Sequence, residues 1–178
     1  MPHHSQSDSE ALCFIYSLLM VIDYYRKFSK VSKFIPSITK TNLIGLLGTE
    51  IETGTIIDTD AIKLLKQNYP MLSFSMICHN DVLSISERYN LILNSLKKMR
   101  PVIVVYNPMH IIFRTEGPGH AGVVIAATDE YLILNNSWYG PNHYILKDRF
   151  IESWEIECYR MIFIEPSIQE RLSTNAPG

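Results

Sequence analysis

Cys13-Phe14-Ile15-Tyr16-Ser17-Leu18-Leu19-Met20-Val21-Ile22-Asp23-Tyr24-Tyr25 is the stretch on which the fold turns. Read as a helix, its apolar residues cover every side. A helix that is apolar all round belongs at the centre of a fold rather than on its surface. Ser7 and Glu10 have the spacing of a capping box just ahead of it, so the expected helix runs from about Ser9 to Arg26. Burying its Leu, Ile and Phe side chains is worth roughly 1.5–3 kcal/mol each, which makes it the post of the structure. The run is too short to span a bilayer and carries Asp23, and no signal peptide is expected ahead of it. Met1 to Ser9 are polar and expected to be loosely held.

Downstream of that helix the chain is helical first and sheet-rich second. Asn42–Leu47 reads as a short helix stopped near Gly48. Asp58, Thr59 or Asp60 can cap a helix through Gln67, and Ser84 to Met99 carries a helical apolar stripe. Leu72–Cys78 and Val102–Tyr106 read as strands. Ile111–Arg114 reads as another, ending at the Gly117-Pro118-Gly119 turn. Gly122–Ala127 and Tyr131–Asn135 flank Thr128-Asp129-Glu130 as a hairpin, and His143–Leu146 and Tyr159–Ile164 complete the strand set. Arg149–Trp154 is a short helix. The expected organisation is one α+β domain over residues 1–165, an N-terminal helix packed on an antiparallel sheet, with a tail over 166–178. Sixteen basic and eighteen acidic residues create no strong field, so neither nucleic acid nor an acidic membrane surface is an expected partner. Three cysteines without a CxxC pair argue against a disulfide scaffold and for a reducing, cytoplasmic setting. Signal-independent export, as an effector or toxin, is compatible with the same features.

A cysteine on an early helix, a later histidine and a later asparagine are the parts of a thiolate hydrolase. Cys13 falls in the first turns of its helix, where the N-terminal field favours a thiolate. His120, after the Gly-Pro-Gly turn, can accept the thiol proton and return it to a leaving group. Asn136 can hold the far ring nitrogen and fix the tautomer, and Trp138 can cover that bond. Each residue also has a plain structural reading: Cys13 as a buried small hydrophobe, His120 as a structural histidine, Asn136 as a turn residue. The conjunction carries the argument. Cys78-His79-Asn80-Asp81 reads as a turn, His3 and His4 as incidental, Cys158 as core. His110 is the reserve base, on a half-buried strand.

His120-Ala121-Gly122-Val123-Val124 and Leu134-Asn135-Asn136-Ser137-Trp138 resemble the histidine and asparagine segments of papain-like cysteine peptidases, down to the sixteen-residue step. The helix from Cys13 resembles the C39-like branch, which often has Cys-Gly-Pro-x-Ser-Leu-Ala-Met-Val-Leu-x-Tyr-Tyr. Lys97–Tyr106, with Arg-Pro-Val-Ile-Val-Val, matches that branch's segment before the histidine strand. The resemblance implies a papain-like fold and a catalytic set of Cys13, His120 and Asn136. It also implies Gln6 as the side-chain donor to the oxyanion, one residue further from the cysteine than is usual. Phe14 and Ile15 stand where Gly and Pro are common, so the cleft is expected to be narrowed or shut there. The implied activity is acyl transfer from a peptide or protein amide through a Cys13 thioester, with no cofactor or metal. Deamidation, transglutamination and amine-acyl transfer use the same apparatus. The rival is a papain-like scaffold kept for binding alone.

Overall fold

In the computed structural model, which describes residues 1–6, 10–29, 33, 35–50 and 52–167, the post is where the sequence places it. A 3-10 turn, Glu10–Leu12, leads into α1, Cys13–Phe28. Phe14, Ile15, Leu18, Met20, Val21 and Ile22 are each 1% exposed or less, so the helix is buried on every side along its middle. Among the described residues no side chain caps its start, and Ser7 lies outside them. The helices α2 (Lys40–Leu47), α3 (Thr59–Asn68) and α4 (Ile85–Lys97) each begin at a side-chain cap, of which Asp58 is one the sequence names. Thr39, Asp58 and Ser84 accept the backbone N–H groups of Asn42, Ala61 and Glu87. Gly48 ends α2 in the left-handed conformation, at φ 58°.

Six strands, β1 (Leu72–Ile77), β2 (Val102–Tyr106), β3 (His120–Ala127), β4 (Tyr131–Asn136), β5 (Gly140–Leu146) and β6 (Met161–Pro166), form one antiparallel sheet in the order β1-β6-β2-β3-β4-β5. β2 is buried at all five positions because both sheet faces are covered. Ile103 and Val105 join the core around α1, α2 and α3, while Val102, Val104 and Tyr106 join a second core with Ile92, Phe150 and Trp154. The alternation of a central strand therefore reads as an unbroken apolar run.

One element departs from expectation. Ile111 to Arg114 is not a strand: Pro108–Phe113 is a helix, α5. Asn107 caps it by accepting from the His110 N–H at 3.1 Å, Pro108 occupies its first turn, and Arg114 closes it at φ 58°. The apolar run Ile111-Ile112-Phe113 suits either period, and the Asn-Pro start decides for helix. A further helix, α6 (Lys147–Ile156), extends the expected Arg149–Trp154 segment at both ends. Among the described residues no helix is long and apolar enough to cross a membrane.

Candidate active site

The β3–β4 hairpin assembles half of the candidate site. Val123 pairs with Asn135, and a bulge between Val124 and Ala126 adjusts the register further along. The hairpin thereby brings the His120 ring to Asn136, with Nε2 3.1 Å from Oδ1. Oδ1 is a carbonyl oxygen and can only accept, so the neutral imidazole carries its proton on Nε2 and leaves Nδ1 as the basic nitrogen. The amide orientation is fixed by its other bonds. Oδ1 also accepts the N–H groups of Trp138 at 2.7 Å and Tyr139 at 3.0 Å, and Nδ2 donates to the Tyr106 hydroxyl. Trp138 stacks on the His120 ring at 4.7 Å between centroids, while Tyr106 meets the ring edge-on at 5.8 Å. The indole covers the bond as the sequence suggests. Tyr106 was not legible as a site residue, because it closes an all-apolar strand.

Cys13, the first residue of α1, lines the same cleft as His120 and Trp138. The cleft holds about 320 Å³, with Thr55, Pro118, Gly119 and Ala121 along its walls. Phe14 forms part of the wall but is 1% exposed and belongs to the α1 core, so its bulk is directed inward and the cleft stays open. Burial pushes the Cys13 thiol above its ordinary value. Backbone hydrogen bonds from Ala121, Phe14 and Cys13 itself pull it back without prevailing. His120 is shifted to about 4, chiefly by burial, against the stabilising bond to Asn136. Both shifts favour the neutral forms, so the helix-terminus field anticipated for a thiolate is outweighed by desolvation.

This predicts the pH dependence of labelling. With a thiol pKa raised above 9.0, iodoacetamide alkylation of Cys13 should climb about tenfold per pH unit from 7 to 9. At pH 7 it should lag behind that of the exposed Cys158. A resting thiolate–imidazolium pair would instead give a plateau from mildly acidic pH. Peptide mass mapping of the three cysteines distinguishes the two.

Gln6 lies beside this site. Its N–H donates to the Ser137 carbonyl and its Oε1 accepts from the Ser137 hydroxyl, each at 2.9 Å, but it is not among the residues lining the cleft. The chain start is tied down rather than loose. His3 Nε2 lies 2.9 Å from the Asn136 carbonyl, His4 bonds Asp23 at 2.9 Å, and the Asn135 amide reaches the Pro2 carbonyl. His110 sits on α5 near Arg114 and Glu152, away from the cleft lining. Cys78 to Asp81 form a turn in which the Cys78 N–H donates to the Asp81 carboxylate. Cys158 is exposed, contrary to a core role, because it occupies the corner before β6.

The sequence pattern of the Peptidase C39-like family matches residues 1–160. No curated protein sequence matches the chain. Among solved structures, a protein described as a C39-like peptidase from Bacillus anthracis aligns over 93% of this chain and 94% of its own, at TM-score 0.64 and 14% identity. The peptidase domain of Streptococcus ComA, a bi-functional ABC transporter involved in a quorum sensing pathway, aligns over 92% and 97% (TM-score 0.61, 18% identity). A double glycine motif protease from an AMS/PCAT transporter, solved with its leader peptide, aligns over 93% and 91% (TM-score 0.58, 16% identity). At these identities the likeness is one of fold.

Proposed function

Because the chain belongs to the Peptidase C39-like family, we propose that it is a cysteine-dependent hydrolase acting on a peptide or protein amide through a Cys13 thioester. The observation that carries this reading is the placement of Cys13 and His120 on one cleft, with Asn136 holding Nε2 so that Nδ1 is the free base. Starting from the neutral pair, Nδ1 removes the thiol proton as sulfur attacks the amide carbonyl. The tetrahedral oxyanion collapses, the C–N bond breaks, and the same proton passes from Nδ1 to the leaving amine. Water then attacks the thioester, with Nδ1 taking its proton; the C–S bond breaks, the acid is released, and the proton returns to the Cys13 sulfur. An amine taking the place of water would make the reaction an acyl transfer. An imidazole near 4 keeps the base unprotonated well below the ordinary histidine range, so the acid limb of kcat/KM belongs near pH 4 rather than 6.5.

The proposed oxyanion donors are the Cys13 backbone N–H and the Gln6 side-chain amide. Support for Gln6 is its double tie to Ser137, the residue following Asn136. A panel of peptide and glutamine-amide substrates, with intact-mass detection of the acyl-enzyme, tests the whole reading. At least one substrate should add its acyl group to Cys13 and release an amine. Binding without acylation across the panel would favour the scaffold reading instead. With an active substrate, Gln6→Ala should lower kcat roughly 10²–10³-fold, the scale of one missing oxyanion donor. A change under twofold would remove Gln6 from the hole.

A further inference from the structure

Part of the cleft wall comes from an unusual corner. Between α6 and β6, Cys158 and Tyr159 both adopt left-handed backbone, at φ 58° and 52°. Two consecutive non-glycine residues in that region are strained and persist only where the surroundings hold them. Here they are held on several sides. The Tyr159 N–H donates to the Trp154 carbonyl at 2.9 Å, and the buried Trp154 indole donates to the Arg160 carbonyl at 3.0 Å. The Val105 N–H donates to that same carbonyl at 3.0 Å. Arg88, 2% exposed, lies 5.4 Å over the Tyr159 ring.

What this corner presents to the cleft is Glu157 and Arg160. The Glu157 carboxylate packs over Gly119, the residue before His120. A methyl group at Gly119 would fall 2.5–2.9 Å from the carboxyl carbon and both oxygens, so glycine leaves the space the carboxylate occupies. Among the described residues the Glu157 carboxylate has no hydrogen-bond or ion-pair partner within bonding distance; burial raises it above its ordinary value, against the opposing pull of the Arg160 charge. An ammonium or guanidinium group beside the carboxylate would offset its partial desolvation. The charged groups lining the cleft are Glu52, Glu157 and Arg160, and Cys13 and His120 rest neutral. Two carboxylates against one guanidinium leave the lining of the cleft that holds Cys13 with a net negative charge.

We propose that Glu157 is a specificity-determining residue that selects substrates bearing an ammonium or guanidinium group close to the amide attacked by Cys13. This deepens the hydrolase reading by naming the charge class of its substrate. The test is independent of turnover. The full chain is labelled with 2-(trimethylammonium)ethyl and 2-sulfonatoethyl methanethiosulfonate, and the rate at Cys13 is read by peptide mass spectrometry. Each rate is divided by that of the same reagent with 2-mercaptoethanol. The normalised cation-to-anion ratio should be about fivefold or more for the wild type, the scale of one unit charge several ångströms away in a partly screened cleft. It should fall toward unity in Glu157→Gln, invert in Glu157→Lys, and collapse in 1 M salt. A ratio unchanged in Glu157→Gln, with its melting temperature retained, would overturn the proposal, as would a wild-type ratio near or below one. A chain that acylates with no substrate yet shows the Glu157-dependent preference loses the hydrolase reading and keeps only the selection of cations by Glu157 at the cleft. Turnover without charge preference does the reverse.

Discussion

Cys13→Ala should abolish acyl-enzyme formation and reduce turnover of any active substrate by roughly 10⁵-fold or more, the scale seen when a hydrolase loses its nucleophile. The reason is chemical rather than structural. The proposed thioester forms on this sulfur, and the neutral resting pair offers water no comparable nucleophile at the same point. The fold should be little affected. Cys13 sits at the edge of the α1 core and is only partly covered, while Phe14 to Ile22 carry the burial. Melting temperature and peptide binding should therefore stay near those of the wild type. Intact mass after incubation with substrate and a kcat measurement check both halves. Turnover within tenfold of wild type would place the chemistry elsewhere. Cys78→Ala and Cys158→Ala serve as controls that should leave turnover unchanged.

Asn136→Ala should cost both activity and stability. Its side chain is fully buried and accepts three N–H groups, from His120 Nε2, Trp138 and Tyr139, while donating to the Tyr106 hydroxyl. Truncation leaves buried polar groups without partners, each worth about 1–3 kcal/mol, so a loss of roughly 2–5 kcal/mol is expected. That is a large share of the roughly 5–15 kcal/mol by which domains are stable. It also frees the imidazole tautomer, and kcat should fall roughly 10²–10⁴-fold. Asn136→Asp is the discriminating partner. A carboxylate can accept the same three N–H groups and, on its second oxygen, the Tyr106 hydroxyl. It should recover most of the stability and bring kcat to within about tenfold of wild type. Asn135→Ala removes only two long contacts, at 3.3 Å to Pro2 and Asn142, and should cost less on both measures. Urea unfolding and steady-state kinetics well below the melting temperature read the two effects separately. Equal losses for Asn135→Ala and Asn136→Ala would dissolve the assignment.

The pairing of His120 with Asn136 was legible in the sequence because it is nearly local. Two strands joined by Thr128-Asp129-Glu130 can form one antiparallel hairpin, and the hairpin carries both side chains to the same end. The burial of α1 was legible for a similar reason: a helix apolar on all sides has no solvent face to offer. The α5 helix was misread although Asn107-Pro108 announced it, since three apolar residues in a row satisfy either period.

The tertiary structure decided what depends on distant chain segments. Desolvation of Cys13 is the work of whatever packs around it, and its sign, raising the thiol against the helix field, follows from burial rather than from any neighbour in sequence. The anchoring of residues 1–6 across Asn135, Asn136 and Ser137 joins segments more than 130 positions apart. Glu157, the residue that closes α6, lines the cleft from a segment distant in sequence, where Gly119 leaves room for the carboxylate. Periodicity thus determined the helix and most of the strands, and the resemblance to papain-like segments singled out the histidine–asparagine pair, each set by contacts a few residues or one hairpin apart. Protonation, access and charge in the cleft were left to packing, because solvation is a property of a place in the fold and no residue carries it in its name.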